Sequence, residues 1–310
     1  MHVLVTGGAG FIGANLIRTL EMTGHTACAF DDLSTGASAN LDGTAADLVV
    51  GTILDPEALT AAIAPADAVV HLAARPSVPR SISDPVASHL ANATGTVNVL
   101  EAARTDGLRH VICAGSSSVY GANPELPKHE GLATRPVSPY AASKLATEAY
   151  TLAYGHSYDL PTLAFRFFNV FGPLQAAGHA YAAVIPAFAD AALRGAPLPL
   201  DGDGTQSRDF TFVDTVCAVI ADAVGRTVTH DLPVAAFRFF NVFGPLQPAG
   251  HAYAAVVPAF VDAALRGEPL PVHGDGTQSR DFTYVDTVAT VLAEACLLYT
   301  SDAADDFAVV

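Results

Sequence analysis

Short apolar runs alternate along the first half of the chain with segments whose apolar residues recur at helical spacing. The runs predict six strands, at residues 2–6, 26–30, 48–51, 67–72, 109–114 and 163–168. Helices are predicted between them, and Asp55-Pro56 and Ser138-Pro139 provide N-cap and first-turn residues for two of these. This alternation predicts an α/β fold built on a Rossmann-type, doubly wound parallel sheet.

The domain organisation follows from length and from the position of the strands. A chain of 310 residues is long enough for two lobes. We predict a dinucleotide-binding domain over residues 1–168 and a smaller, incomplete substrate lobe over residues 169–310. A stretch rich in Pro and Gly, residues 121–137, is predicted to be a surface loop that borders the site.

An internal duplication marks the second half of the chain. Residues 164–216 and 236–288 are identical at 46 of 53 positions, and both contain AFRFFNVFGPLQ and GDGTQSRDF. Solenoid repeats recur at least three times and diverge more, so the block does not indicate a solenoid. We hypothesise a truncated or misassembled gene product with an aberrant tail. The first copy follows the preceding helix by a short connection and is therefore predicted to form the sixth strand.

Charge and cysteine usage exclude several classes of function. The net charge of -16 leaves no basic surface for nucleic acid or for an anionic membrane. The four cysteines are far apart, which favours a reducing, cytoplasmic location over a disulfide framework. The histidines show no spacing typical of metal ligands, so no metal site is expected.

The first strand runs into the glycine-rich turn Thr6-Gly7-Gly8-Ala9-Gly10-Phe11-Ile12-Gly13. Glycines at the start of a helix let backbone N–H groups approach a pyrophosphate, which predicts dinucleotide binding. Asp31 ends the second strand, where its carboxylate can accept hydrogen bonds from ribose hydroxyls. Because Asp31-Asp32 would repel a 2′-phosphate, NAD is favoured over NADP.

A tyrosine and a lysine occupy the start of a predicted helix. The spacing of Tyr140 and Lys144 places phenol and ammonium on one helix face. A neighbouring cation favours the phenolate, and we therefore expect Lys144 to lower the pKa of Tyr140. The fifth strand ends in Gly115-Ser116-Ser117-Ser118, which brings hydroxyl groups to the same edge of the sheet. Together these residues predict a catalytic set.

In this order and spacing, TGGAGFIG, HLAA, SSSVYG, YxxxK and RFFNVFGP resemble an extended short-chain dehydrogenase/reductase. Within that family the chain is most similar to UDP-glucose 4-epimerases and related nucleotide-sugar epimerases, over roughly residues 1–224. The resemblance implies an enzyme with bound NAD and a nucleotide-sugar substrate. It also implies a homodimer formed through the helices predicted at residues 85–106 and 138–157.

The resemblance assigns roles by position. It places Ser116, Tyr140 and Lys144 at the catalytic positions and Asn169 and Arg208 against the diphosphate of the substrate, with Ser116 also contacting the sugar. The residues that it places around NAD, besides Tyr140 and Lys144, are Gly7, Gly10, Phe11, Ile12, Gly13, Asp31, Asp32, Ile53, Leu72, Ala73, Ala74 and Asn92.

Two alternatives to an epimerase stay open. Related dehydratases and decarboxylases carry acidic residues where this chain has Ser117 and Ser118, which argues against those reactions. The duplicated block occupies the place of the family's carboxyl-terminal lobe, so the chain is alternatively an inactive NAD-binding relic or a chimeric product.

Overall fold

One parallel sheet of six strands organises the protein. The computed structural model describes residues 1–107, 110–175, 183–199 and 210–226, with positions 242–243, 266 and 283–284. The strands run in the order β3-β2-β1-β4-β5-β6, which confirms the predicted Rossmann-type fold. Their bounds are β1 His2–Thr6, β2 Thr26–Asp31, β3 Asp47–Val50, β4 Ala68–His71, β5 Val111–Ser116 and β6 Thr162–Phe167.

The helices begin where the sequence places their caps. Asp55 accepts hydrogen bonds from two first-turn N–H groups of α2, and Ser138 accepts one from Ala141 at the start of α6. The helices are α1 Phe11–Met22, α2 Pro56–Ile63, α3 Val78–Ser83, α4 Pro85–His89, α5 Gly95–Thr105, α6 Pro139–Tyr158, α7 Val184–Leu193 and α8 Val213–Arg226.

The helix predicted over residues 85–106 is interrupted. A π-helical turn, Leu90–Thr94, separates α4 from α5. The carbonyl of Asn92 in this turn accepts hydrogen bonds from the hydroxyls of Thr96 and Thr147, at 2.5 and 3.0 Å. A π turn changes which carbonyls are free for such bonds, and it is frequent at functional sites.

Two apolar layers cover the sheet because successive strand residues point to opposite faces. Val3 and Val5 of β1 pack with α1 and α8 on one face. Leu4, between them, packs with α2 and α5 on the other. All three side chains are fully buried, so the first strand lies at the centre of the core.

The chain divides into two compact units, the first within Met1–Gly204 and Thr211–Arg238 and the second within Thr205–Phe210 and Phe239–Val310. Because α8 packs against α1, the first unit extends beyond residue 168. The division at residue 168 into a cofactor-binding domain and a substrate lobe stays a prediction. Residues 121–137 contain no helix or strand and are mostly exposed, as predicted for this loop.

Copy one of the duplicated block supplies the sixth sheet strand, as predicted, since β6 pairs with β5 from Val111↔Thr162 to Ser116↔Phe167. Two short strands follow, β7 Val170–Phe171 and β8 Thr211–Phe212, which pair in parallel. In the second unit, β9 Val242–Phe243 and β10 Thr283–Tyr284 pair in the same way.

Candidate active site

The glycine-rich turn connects β1 to α1 at the carboxyl edge of the sheet. Gly7 has a φ of +72°, and a Cβ there would lie 2.7 Å from the backbone nitrogen of Ala73. A Cβ on Gly13 would lie 2.3 Å from the carbonyl oxygen of Gly7. Side chains are therefore excluded at Gly7 and Gly13, and no side chain caps the first turn of α1 at Gly10. Such a helix start, with uncapped N–H groups, fits a pyrophosphate.

The two acidic residues after β2 differ in environment. Asp31 is buried, and its carboxylate accepts hydrogen bonds from the backbone N–H groups of Ala9 at 3.0 Å and Leu33 at 2.8 Å. Burial raises the pKa of Asp31, whereas these hydrogen bonds oppose the rise. Asp32 is exposed and accepts a hydrogen bond from the backbone of Ser34. Asp31 thus fixes the glycine turn relative to β2, and its ribose contact stays a prediction.

The segment after β4 lies against the glycine turn at the carboxyl edge of the sheet. Leu72 donates its backbone N–H to the carbonyl of Thr6 at 3.0 Å. Asn92 then holds Arg75 through both backbone groups and donates to Ser143 on α6 at 2.9 Å. Asn92 is nearly inaccessible, and its hydrogen bonds fix Arg75, which directly follows Leu72–Ala74, to α6. Ile53 is buried among core residues, and its contact with NAD stays a prediction.

Ser116, Tyr140 and Lys144 meet where β5 ends beside the first turns of α6. Lys144 is buried and donates to the carbonyl oxygen of Ala114 at 2.6 Å. Burial lowers the pKa of Lys144 to about 8. The phenol of Tyr140 lies beside the hydroxyl of Ser116, which favours the phenolate. The structure therefore brings the three predicted catalytic residues together.

The expected effect of Lys144 on Tyr140 is wrong for this structure. The pKa of Tyr140 is raised, because burial disfavours the phenolate, and the hydrogen bond with Ser116 offsets this only in part. The ammonium group of Lys144 lies against a backbone carbonyl of β5. Sequence spacing placed the two groups on one helix face correctly, but it carried no information about the burial of the phenol.

A buried chain of hydrogen bonds behind the site was missed by the sequence analysis. His71 bonds the hydroxyls of Thr6 at 2.7 Å and Thr96 at 3.1 Å, and Thr96 bonds Thr147 at 3.1 Å. Burial, with a smaller effect of Lys144, lowers the pKa of His71 to about 3, so the imidazole is neutral. These hydrogen bonds link β1, β4, α5 and α6. The position of His71 in the HLAA motif was the available signal.

An ion pair on the other side of α6 was also missed. Arg166 of β6 forms two bonds with the carboxylate of Glu148, at 2.5 and 2.7 Å. The guanidinium also donates to the hydroxyl of Tyr120 at 2.6 Å and lies 4.8 Å from the centre of its ring. Arg166 therefore joins β6, α6 and the turn that follows Ser116.

The residues expected at the substrate diphosphate are only partly described. Asn169 follows β6, is exposed and has a φ of +33°. Its carbonyl oxygen accepts a hydrogen bond from the backbone N–H of Thr211 at 3.3 Å. Arg208, like the duplicate positions Asn241 and Arg280, lies outside the described residues.

Comparison with known proteins identifies the family. The profile of the NAD dependent epimerase/dehydratase family matches residues 3–230 and again residues 221–308. The chain belongs to this family. The second match overlaps the second copy of the duplicated block. Because the family is NAD-dependent, the cofactor of the chain is NAD.

Three relatives illustrate the range of reactions in the family. A UDP-glucose 4-epimerase of Mycolicibacterium smegmatis is 40% identical over 73% of this chain and 74% of its own length. The structure of a UDP-glucose 4-epimerase from Thermus thermophilus, in complex with NAD, has a TM-score of 0.71 and 30% identity over 94% of this chain and 93% of that one. A dTDP-glucose 4,6-dehydratase from Streptomyces venezuelae, with NAD bound, has a TM-score of 0.66 and 34% identity over 71% of each chain.

The described part of the chain shows two further features of its surface and chemistry. None of its helices combines the length and apolarity needed to cross a membrane. In the same residues, no three His, Cys, Asp or Glu side chains are grouped to hold a metal ion.

Proposed function

We propose that the chain is an NAD-dependent nucleotide-sugar 4-epimerase that interconverts UDP-glucose and UDP-galactose. The observation that carries this proposal is the convergence of three side chains at the carboxyl edge of the sheet: Ser116 ends β5, and Tyr140 lies one turn of α6 from Lys144, which donates to the carbonyl of Ala114 in β5. Two epimerase relatives, at 40% and 30% identity, support it.

In the proposed reaction Tyr140 moves one proton in each direction. Its phenolate oxygen takes the proton of the sugar 4-hydroxyl, with Ser116 bonded to the same oxygen, and later returns it to the other epimer. Bound NAD would supply reversible hydride acceptance and, through its cationic ring, a positive charge beside the phenol. That charge would counteract the burial that raises the pKa of Tyr140. The hydride removed from C4 would be returned to the 4-keto sugar, so no net oxidation results. Rotation of that sugar in the pocket before its reduction would invert the configuration at C4.

The other predicted residues are assigned to binding the cofactor and the substrate. We assign Lys144 to the nicotinamide ribose, Asp31 to the adenosine ribose and the turn from Gly7 to Gly13 to the pyrophosphate. Asn169 and Arg208 are assigned to the diphosphate of the substrate. A homodimer formed through the helices of residues 85–106 and 138–157, and a cytoplasmic location, belong to the same proposal.

The experiment that tests the proposal has two readouts. Protein purified as the full chain is denatured, and the released cofactor is identified by absorbance and mass. Intact protein is then incubated separately with UDP-glucose and UDP-galactose. NAD with interconversion is the expected result, whereas NAD without turnover would favour the alternative of an inactive NAD-binding relic. In a parallel incubation with dTDP-glucose, release of a 4-keto-6-deoxy sugar nucleotide would favour a dehydratase.

A variant of Tyr140 tests the catalytic assignment. Tyr140→Phe removes the proton-transferring oxygen and keeps the ring, so turnover should be lost while NAD remains bound. Unchanged interconversion by Tyr140→Phe would contradict the assignment. Loss of NAD together with activity would show that the phenol acts in cofactor binding and not only in proton transfer.

A further inference from the structure

Ser118 lies two residues after Ser116 in a 3-10 turn, Ser117–Tyr120, that directly follows β5. The hydroxyl oxygen of Ser116 accepts two hydrogen bonds from it. One comes from the backbone N–H of Ser118 at 3.2 Å, and the other from the hydroxyl of Ser118 at 2.9 Å. Both bonds are local to the turn, so they form wherever the turn forms.

The two bonds decide what the hydroxyl of Ser116 can still do. A serine hydroxyl has one donor hydrogen and two acceptor lone pairs. Ser118 occupies both lone pairs, which leaves Ser116 only its O–H to offer. The phenol of Tyr140, on the first turn of α6, is the side chain on which the hydroxyl of Ser116 acts. Ser116 is therefore oriented as a donor toward Tyr140, and a donor to this oxygen favours the phenolate.

We propose that Ser118 is a positioning residue that commits the Ser116 hydroxyl to donate to Tyr140, so that Tyr140 and not Ser116 takes the substrate proton. The inference rests on the proposed function, since it assigns the direction of hydrogen bonding at that site. Ser118 stands where related dehydratases and decarboxylases have an acidic residue, and a carboxylate there would not orient Ser116 in this way.

The helix that carries Tyr140 and the elements packed against it also bear charged or titratable groups. Those on α6 and on the elements that pack against it include Lys144, Glu148, Arg80, His89, Glu101, Arg104, Cys113 and Arg166. The pKa of Tyr140 responds to burial, which raises it, and to the hydrogen bond of Ser116, which lowers it. A change confined to Ser118 should therefore reach Tyr140 through Ser116.

The test is a spectroscopic titration that does not require turnover. The ultraviolet absorbance of phenolate is followed with pH in the purified protein, and the titration of the matching Tyr140→Phe protein is subtracted to isolate Tyr140. Ser118→Ala frees a lone pair of Ser116, so the midpoint of Tyr140 should rise by ~0.5 to 1 pH unit, the effect of one ordinary hydrogen bond. Ser118→Thr keeps the hydroxyl and should have the midpoint of the wild-type protein. Ser118→Val has the shape of the threonine variant without its hydroxyl and should show the raised midpoint of Ser118→Ala.

Ser117→Ala is the matched control, because it removes a neighbouring serine hydroxyl from the same turn. It should leave the midpoint unchanged. An unchanged midpoint in Ser118→Ala, or an equal rise in Ser117→Ala, would overturn the inference. If Ser118→Ala does not fold, the Thr and Val variants give the same comparison.

Activity provides a second, separate readout. If the wild-type protein interconverts the sugars, Ser118→Ala should lower kcat at neutral pH by ~3- to 10-fold, with KM unchanged and with recovery at higher pH. If the wild-type protein has no activity, the proposed function fails while the titration still decides the role of Ser118. A fall in kcat that is equal at all pH values would contradict the inference.

Discussion

The ion pair between Arg166 and Glu148 should contribute far more to stability than a pair of the same chemistry on the surface. The two side chains are only 13% and 12% exposed, and two charge-assisted bonds join them. Removing one partner of a buried pair leaves the other charge without compensation and costs about 3–5 kcal/mol. Glu148→Gln keeps one acceptor oxygen for Arg166, so we expect a loss near the lower bound, about 3 kcal/mol.

A loss of this size is measurable as a change in thermal unfolding. For a unit of 150–250 residues, each kcal/mol shifts Tm by roughly 2–4 °C, so the expected decrease is about 6–12 °C. Circular dichroism of the full-length variant would measure it. Because Arg166 also donates to Tyr120, beside the catalytic turn, kcat of an active enzyme should fall as well.

The chain contains a matched control for this experiment. Arg104 and Glu101 also form a two-bond pair, but the side chains are 36% and 44% exposed and water screens their attraction. Glu101→Gln should therefore change Tm little. If Glu148→Gln and Glu101→Gln lower Tm equally, burial does not set the strength of the pair, and the reasoning is refuted.

Two further predictions concern the cofactor and pH. Gly13→Ala should lose NAD on purification, since its Cβ would lie 2.3 Å from the carbonyl oxygen of Gly7, whereas Gly225→Ala, with open space around the Cβ, should retain it; equal retention by both would contradict this. Burial lowers the pKa of His71 to about 3 and of His110 to about 4, below the 6.5 of the unfolded chain. Their stabilising effect is complete above pH 6.5 and is lost as pH falls toward 4, by up to ~1.4 kcal/mol per pH unit for each. Tm should be lower at pH 5 than at pH 7, and the decrease should be smaller in His110→Gln; a Tm independent of pH would exclude this linkage.

The strands and caps could be predicted because their signals are local. Each of the six strands is a short apolar run, and its bounds shift by no more than two residues in the structure. Ser138 caps α6 through its own neighbour Ala141. The glycine turn was predictable although its close contacts include Ala73, far along the chain, because β1, α1 and the segment after β4 always meet in this fold.

The features that the sequence did not reveal depend on residues far apart in the chain. The π turn at Asn92 is held by Ser143 and Thr147, which lie on a different helix. The pKa of Tyr140 depends on how much of the phenol is buried, which no spacing rule encodes. The prediction from the Tyr-Lys spacing was therefore right about position and wrong about direction of the pKa shift.

The duplicated block separates local from global determinants of structure. Val170 pairs with Thr211 in copy one, and Val242 pairs with Thr283 in copy two, at equivalent positions of the two copies. Nearly identical sequences thus form the same short pairing. Only copy one contributes to the sixth strand of the main sheet, because α6 ends at Tyr158 and β6 begins at Thr162. Short connections are favoured, so the place along the chain, and not the local sequence, decides which copy completes the Rossmann sheet.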